Sequence, residues 1–236
     1  MPSPVKTRTA SVDPAPRARK PRGPVTGAST REALVQAAMK LYADRAIGAV
    51  SLREIVQAAG QGNQSAIHYH FHDKQGLLVA VSDHVWNIFA PRFRAALAEV
   101  AAQEQAGTLG DEQLVAALVM PLIEVFHASE SGRDAIRFIA RLTSDGGDLG
   151  QSLVLRQAAP FLNEVEARFA ARQPAKPREK IQLQLLLALS STIFGLTAIG
   201  GLRHSPFGET TTLYAGRFDD LIRDYVHFVG RGLLGD

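Results

Sequence analysis

No cysteine occurs among the 236 residues, so disulfides, iron–sulfur ligation and thiol catalysis are excluded and a reducing cytoplasm is the economical compartment. The N-terminus lacks the apolar run of a signal peptide, which argues against export; Pro, Ser, Thr and basic residues fill it through Pro24. Acidic residues are scarce there too, since residues 1–22 hold Lys6, Arg8, Arg17, Arg19, Lys20 and Arg22 against Asp13 alone. No G-x-S-x-G elbow is present, and a strand-poor chain offers no sheet to mount one, so a Ser/His hydrolase is disfavoured and no enzymatic activity is expected. Residues 181–202 contain no charge at all, a run long enough to cross a bilayer. Gln182, Gln184, Ser190, Ser191 and Thr192 would place polar groups in lipid, however, so the preferred reading is a helix buried between two subunits.

What is present is enough for one sizeable core or two modest ones: 46% of residues are hydrophobic and 21% charged. The net charge of +3 is concentrated at the N-terminal end. A Pro-rich basic arm cannot bury enough apolar surface to fold alone, and its partner is either a polyanion, such as nucleic acid or anionic lipid, or simply water.

Helix signals dominate from residue 29. Ser29-Thr30-Arg31-Glu32 reads as a capping box ahead of Ala33, Leu34, Ala37, Ala38, Leu41 and Tyr42, a segment expected to end at Gly48. Ser51-Leu52-Arg53-Glu54 opens a second box leading into Ile55, Val56 and Ala59, and Gly60 stops this helix after two turns. Asn63 suits the N-cap of a third short helix through Phe71, and Asp73 that of a fourth beginning at Lys74, with Pro91 as its kink or end. Further helices are expected over 112–126, 131–142, 149–171, from Pro177 as first helical residue onward, and over 218–233.

The run His68-Tyr69-His70-Phe71-His72 is then settled by its surroundings. In a strand its three imidazoles would share one face and chelate a metal; in a helix His70 points away from His68 and His72, leaving at most two ligands. Two short helices across a tight turn make a helix-turn-helix, with Ile67 and Phe71 packing inward on Leu52, Ile55 and Val56 while Gln64, Ser65 and His68 face outward. No metal and no cofactor is expected.

The pattern A-A-G-x-x-N-x-S-A-I-H-Y-H-F-x-x-K-x-x-L-L from Ala58 to Leu78, preceded by T-R-E-A-L at Thr30 and S-L-R-E-I at Ser51, resembles the N-terminal signature of TetR-family transcriptional regulators. About 50 residues carry the resemblance, and the turn Gly60-Gln61-Gly62-Asn63 is one residue longer than the commoner version. The resemblance implies an all-α homodimer whose N-terminal three-helix unit binds a double-stranded DNA operator and whose larger C-terminal domain binds a small-molecule effector, usually with repression relieved by ligand. The expected division is a disordered basic arm over 1–28, a DNA-binding unit over 29–78 and a ligand-binding and dimerisation domain over 79–236. The rival readings are a membrane-tethered or an effector-independent architectural DNA-binding protein.

The residues support DNA binding without the family name. A short helix enters the major groove N-terminus first, so Gln64 and Ser65 are best placed for base edges, Gln being suited to adenine, with His68 one turn on. Tyr69 and His70 serve either as phosphate donors or as packing at the helix end. Lys74, at a helix start whose dipole also favours an anion, reads as a phosphate clamp, and Arg31 and Arg53 are candidates for the same task. Ser51 and Asn63, the expected caps, complete the DNA-facing set. For the effector the sequence offers Trp86, Phe89, Phe126, His127, Phe138, Arg141 and Phe161, a set that suits a lipophilic or aromatic compound.

Overall fold

A computed structural model describes residues 27–63, 65–198 and 218–235, and among them the chain forms nine α-helices, one 3-10 turn and no strand. The helix α1 spans Gly27–Asp44, so it is already running at Ser29, and that serine stands inside the first turn instead of capping it. The helix also stops short of Gly48: a single 3-10 turn, Ile47–Ala49, buries Ile47 and hands the chain to Ser51. The second box forms as expected. The Ser51 hydroxyl accepts from the Glu54 amide, the Glu54 carboxylate accepts from the Ser51 amide at 2.8 Å, and α2 runs Leu52–Ala58. Gly60, at φ +68°, takes the left-handed conformation that ends it.

The third helix, α3, is Ser65–Phe71, and α4 follows as Lys74–Ala106 with Asp73 accepting from the Gly76 amide as N-cap. Pro91 does not end α4, which continues for four more turns. The proline sits on the exposed side of the helix. Because α4 runs unbroken through residues 78 and 79, the expected division between DNA-binding and ligand-binding parts falls inside one helix, with no linker there.

The remaining helices are α5 (Asp111–Ala128), α6 (Glu130–Asp145), α7 (Gly147–Arg172), α8 (Arg178–Ala198) and α9 (Phe218–Leu234). Pro177 precedes α8 and offers its carbonyl to the Lys180 and Ile181 amides, so it occupies the cap position and not the first helical one. Arg178 then clamps the buried Glu166 of α7 with two bonds, and this ion pair holds the Glu166 carboxyl below the usual range.

Two features of the packing position the functional surfaces. The first is the seat of α1 on α6. Tyr42 and Phe138, both fully buried, meet there with ring centroids 6.2 Å apart. Among the described residues the Tyr42 hydroxyl has no hydrogen-bond partner, and burial pushes its pKa up to about 12. Since the folded value lies above the ordinary 10, this phenol's contribution is complete below pH 10 and is lost as pH rises toward 12. Tyr42→Phe removes an unsatisfied buried hydroxyl and is expected to raise stability by about 1 kcal/mol in urea melts, with a flatter alkaline limb between pH 10 and 12.

The second feature is α8. It is long and apolar enough to cross a membrane, yet only 28% of its most apolar window is buried. Ile181, Leu185, Ala188, Thr192 and Leu196 point into the core against α5, α6, α7 and α9, and Thr192 and Ser191 lie within 2.9 Å of the Tyr225 hydroxyl of α9. The opposite side presents Leu183, Leu187 and Phe194 to the outside, with Phe228 of α9 also exposed.

Candidate nucleic-acid interface and effector cavity

Alternation of inward and outward residues along α3 creates a recognition surface from seven residues. Ile67 and Phe71 are buried against Ile55 and Val56, whereas Ser65 and His68 are exposed and Tyr69 is 81% exposed. An aromatic ring so far out of a soluble core has no packing reason to be there. Asn63 caps the helix through its side-chain oxygen, which accepts from the Ser65 amide at 2.9 Å. Gln64 lies outside the described residues, as does the basic arm through residue 26.

The histidine run closes α3 in a way the sequence pattern did not show. His72 adopts a left-handed conformation, φ +67°, which polar short-range caps tolerate better than most residues. His68 Nδ1 donates to the His72 carbonyl at 2.8 Å, which fixes its ring and leaves Nε2 facing outward. His70 leans edge-on against Tyr69, centroids 4.9 Å apart, and is half-buried. Among the described residues no group of three potential metal ligands gathers.

Lys74 is placed differently from the phosphate clamp its position suggested. Its ammonium donates to the carbonyls of Ile47 at 2.8 Å, Val50 at 2.6 Å and Gly48 at 3.4 Å, which uses all three of its N–H groups. Burial depresses its pKa, against the attraction of Glu54. The side chain thus ties the segment between α1 and α2 to the start of α4. Ser51 is likewise occupied, since its hydroxyl bonds the Glu54 carboxylate at 2.7 Å. That bond, the Ser51 amide and Arg45 together hold Glu54 down to about 2. Arg31 lies over the Phe71 ring at 5.3 Å, a cation–π contact that braces α3 from α1, and Arg53 is exposed. We expect Lys74→Ala to lower stability by about 1.5–3 kcal/mol and to speed amide exchange over residues 46–52. The salt slope of DNA binding is expected to stay unchanged, whereas loss of a phosphate contact would reduce it by about one.

Residues of α4, α5, α6, α7 and α8 line an apolar cavity of about 130 Å³ that is partly open to the outside. Trp86, Phe89, Phe93 and Phe161 form its aromatic wall, with Phe93 and Phe161 centroids 4.3 Å apart. Gln157 brings a carboxamide to the lining, and Leu155 and Leu186, both exposed, stand at its edge.

Two family models match the chain. Residues 34–81 match that of the bacterial regulatory proteins of the tetR family, and residues 116–230 that of the tetracyclin repressor-like C-terminal domain, together well over half the length. The chain belongs to the TetR family. Among solved structures it is similar to GusR of Salmonella enterica, at 16% identity and a TM-score of 0.50, over 88% of this chain and 96% of that one. It is also matched to the TetR family repressor AlkX from Dietzia sp., implicated in biodegradation of n-alkanes, at 18% identity and a TM-score of 0.36, over 85% of this chain and 96% of that one. No curated protein sequence matches it. It is therefore a DNA-binding regulator whose helix-turn-helix is α2 and α3.

The seven residues expected to meet an effector divide sharply. Trp86, Phe89 and Phe161 line the apolar cavity. Phe126, His127, Phe138 and Arg141 do not. Phe126 is buried with the His127 ring edge-on beside it at the end of α5, where burial and Arg133 lower the imidazole's pKa. Phe138 points to α1, and Arg141 faces a separate polar depression beside Asp44 and Arg137. Spacing along α6 could not tell which side meets the cavity. Phe93 and Gln157 also line the cavity, one lying past Pro91 and the other an ordinary polar residue until α7 is set beside α4.

Proposed function

We propose that this protein is a ligand-responsive repressor that binds a palindromic operator as a homodimer in the cytoplasm and is released by a small lipophilic effector. The outward face of α3 carries the reading: Ser65, His68 and Tyr69 stand exposed on a helix whose opposite face is locked into the core. Ser65 lies at the N-terminal end that enters a major groove first, and Gln64 beside it is the proposed reader of adenine. Tyr69 and His70 suit phosphate oxygens, with Arg53 a further phosphate ligand. Ser51, Asn63, Arg31 and Lys74 hold the unit in shape around them. The exposed leucines of α8 support dimerisation, since one copy alone leaves them in water.

Recognition helices about one DNA turn apart must match two half-sites, so an effector that fits only one dimer spacing shifts DNA affinity by at most its preference for that form. The test is selection of bound fragments from total genomic DNA by the full-length chain, followed by footprinting. A short palindrome with half-sites one turn apart is expected, and His68→Ala should cut operator affinity about 10- to 100-fold while leaving random-DNA binding within about threefold. Protection of no discrete site would overturn the reading and favour an architectural role.

A further inference from the structure

Gln157 touches two parts of the fold. The residue lines the aromatic cavity, and its carboxamide bridges to α4: Oε1 accepts from the fully buried Ser82 hydroxyl at 3.0 Å, and Nε2 donates to Asp83 at 2.8 Å. A carboxamide has two donors and two acceptor lone pairs, so one N–H and one lone pair remain unused by α4. The other polar side chain whose bonding is defined on this lining, Thr143, is turned back on its own helix and donates to the Ile139 carbonyl at 2.8 Å.

Size and wall chemistry narrow what belongs there. A cavity of about 130 Å³ is near the volume of about 150 Å³ that holds one benzene ring in a dry protein interior. Trp86, Phe93 and Phe161 offer ring faces and edges for an aromatic guest, with Trp86 and Phe93 stacked at 5.5 Å. We propose that the effector is a single-ring aromatic compound bearing one hydrogen-bonding substituent, that Gln157 reads that substituent, and that Ser82 and Asp83 carry the result into α4. This rests on the reading of the cavity as the effector site. A guest hydroxyl donating to the free lone pair of Oε1 makes that oxygen an acceptor shared with the buried Ser82 hydroxyl, which weakens the Ser82 bond and so loosens the tie between α7 and the helix that begins at the DNA-binding unit.

Phenol and toluene, equal in heavy atoms and differing in the hydroxyl, are the probes. Trp86 is the chain's single tryptophan and lies on the wall, so its fluorescence, excited at the red edge, reports occupancy of the full-length protein. Both probes are expected to give saturable changes. Gln157→Leu should lower the ratio of phenol to toluene affinity at least tenfold while holding toluene affinity within about threefold. Saturating phenol, and not toluene, should speed hydrogen exchange of the α4 amides over 79–87. Ser82→Ala, which leaves Gln157 in place, should do the same with no ligand and gives an independent arm if Gln157→Leu does not fold. An absent saturable response to both probes overturns the cavity reading and the inference together. An affinity ratio unchanged in Gln157→Leu overturns the role of Gln157 alone and leaves the cavity standing, and equal α4 exchange with both probes overturns the transmission.

Discussion

A chain carrying Leu183→Glu and Leu187→Glu is expected to sediment as a monomer and to lose at least ~10³-fold of its affinity for a palindromic operator, while binding to random DNA at low salt weakens far less. The two leucines stand one helical turn apart on the outer side of α8, 57% and 60% exposed, in line with Phe194, and Phe228 on α9 is 69% exposed. Apolar surface of this extent on a single copy gains about 25 cal/mol per Å² when a second copy covers it. A twofold interface brings the same patch of both protomers together, so two glutamates per chain become four carboxylates in one desolvated seam. The inner side of α8, from Ile181 to Leu196, is untouched, so the thermal transition of each chain should persist. Sedimentation velocity decides the matter, and a double variant that remains dimeric would place the interface elsewhere.

Phe138→Ala is expected to cost about 3–5 kcal/mol in urea unfolding, the range for emptying a fully buried aromatic site. The ring is fully buried at the seat of α1 on α6, against Tyr42, and Asp134 is buried one turn before it with its carboxyl raised by the same burial, partly offset by Arg137. The loss therefore falls on the joint between the DNA-binding unit and the helical core. Because Phe138 does not line the aromatic cavity, phenol affinity of the folded variant should remain within about threefold. A cost below about 1 kcal/mol would show that the joint relaxes to fill the space, and that α1 is less tightly seated than its burial implies.

These two substitutions mark where the sequence was and was not legible. The helix-turn-helix could be read almost residue by residue, because its determinants are local: Ser51 with Glu54, Gly60 beyond α2, Asp73 ahead of α4 and the spacing of Ile67 and Phe71 act within one or two turns. The first capping box misled for the same reason. Ser29 and Glu32 have the right spacing, but α1 is already helical at Gly27 and packs along α6. Lys74 misled because its three carbonyl partners come from residues 24 to 27 positions earlier, a separation no periodicity records. At Pro91 the helix does not end, and α4 continues through Ala106 while packing on α5 and α7.

The sequence by itself determined the class of molecule: an all-helical chain, a recognition helix ending at Phe71, and a long apolar segment without charge. Hydrophobic period, caps and charge are written in neighbouring residues, so short-range physics reads them directly. Only the tertiary structure decided that Phe138 braces α1 while Phe161 lines a cavity, that Lys74 binds carbonyls, and that Gln157 joins that cavity to α4. Each of those outcomes depends on which side of a helix meets which neighbour, and that is set by the simultaneous packing of helices far apart in the chain.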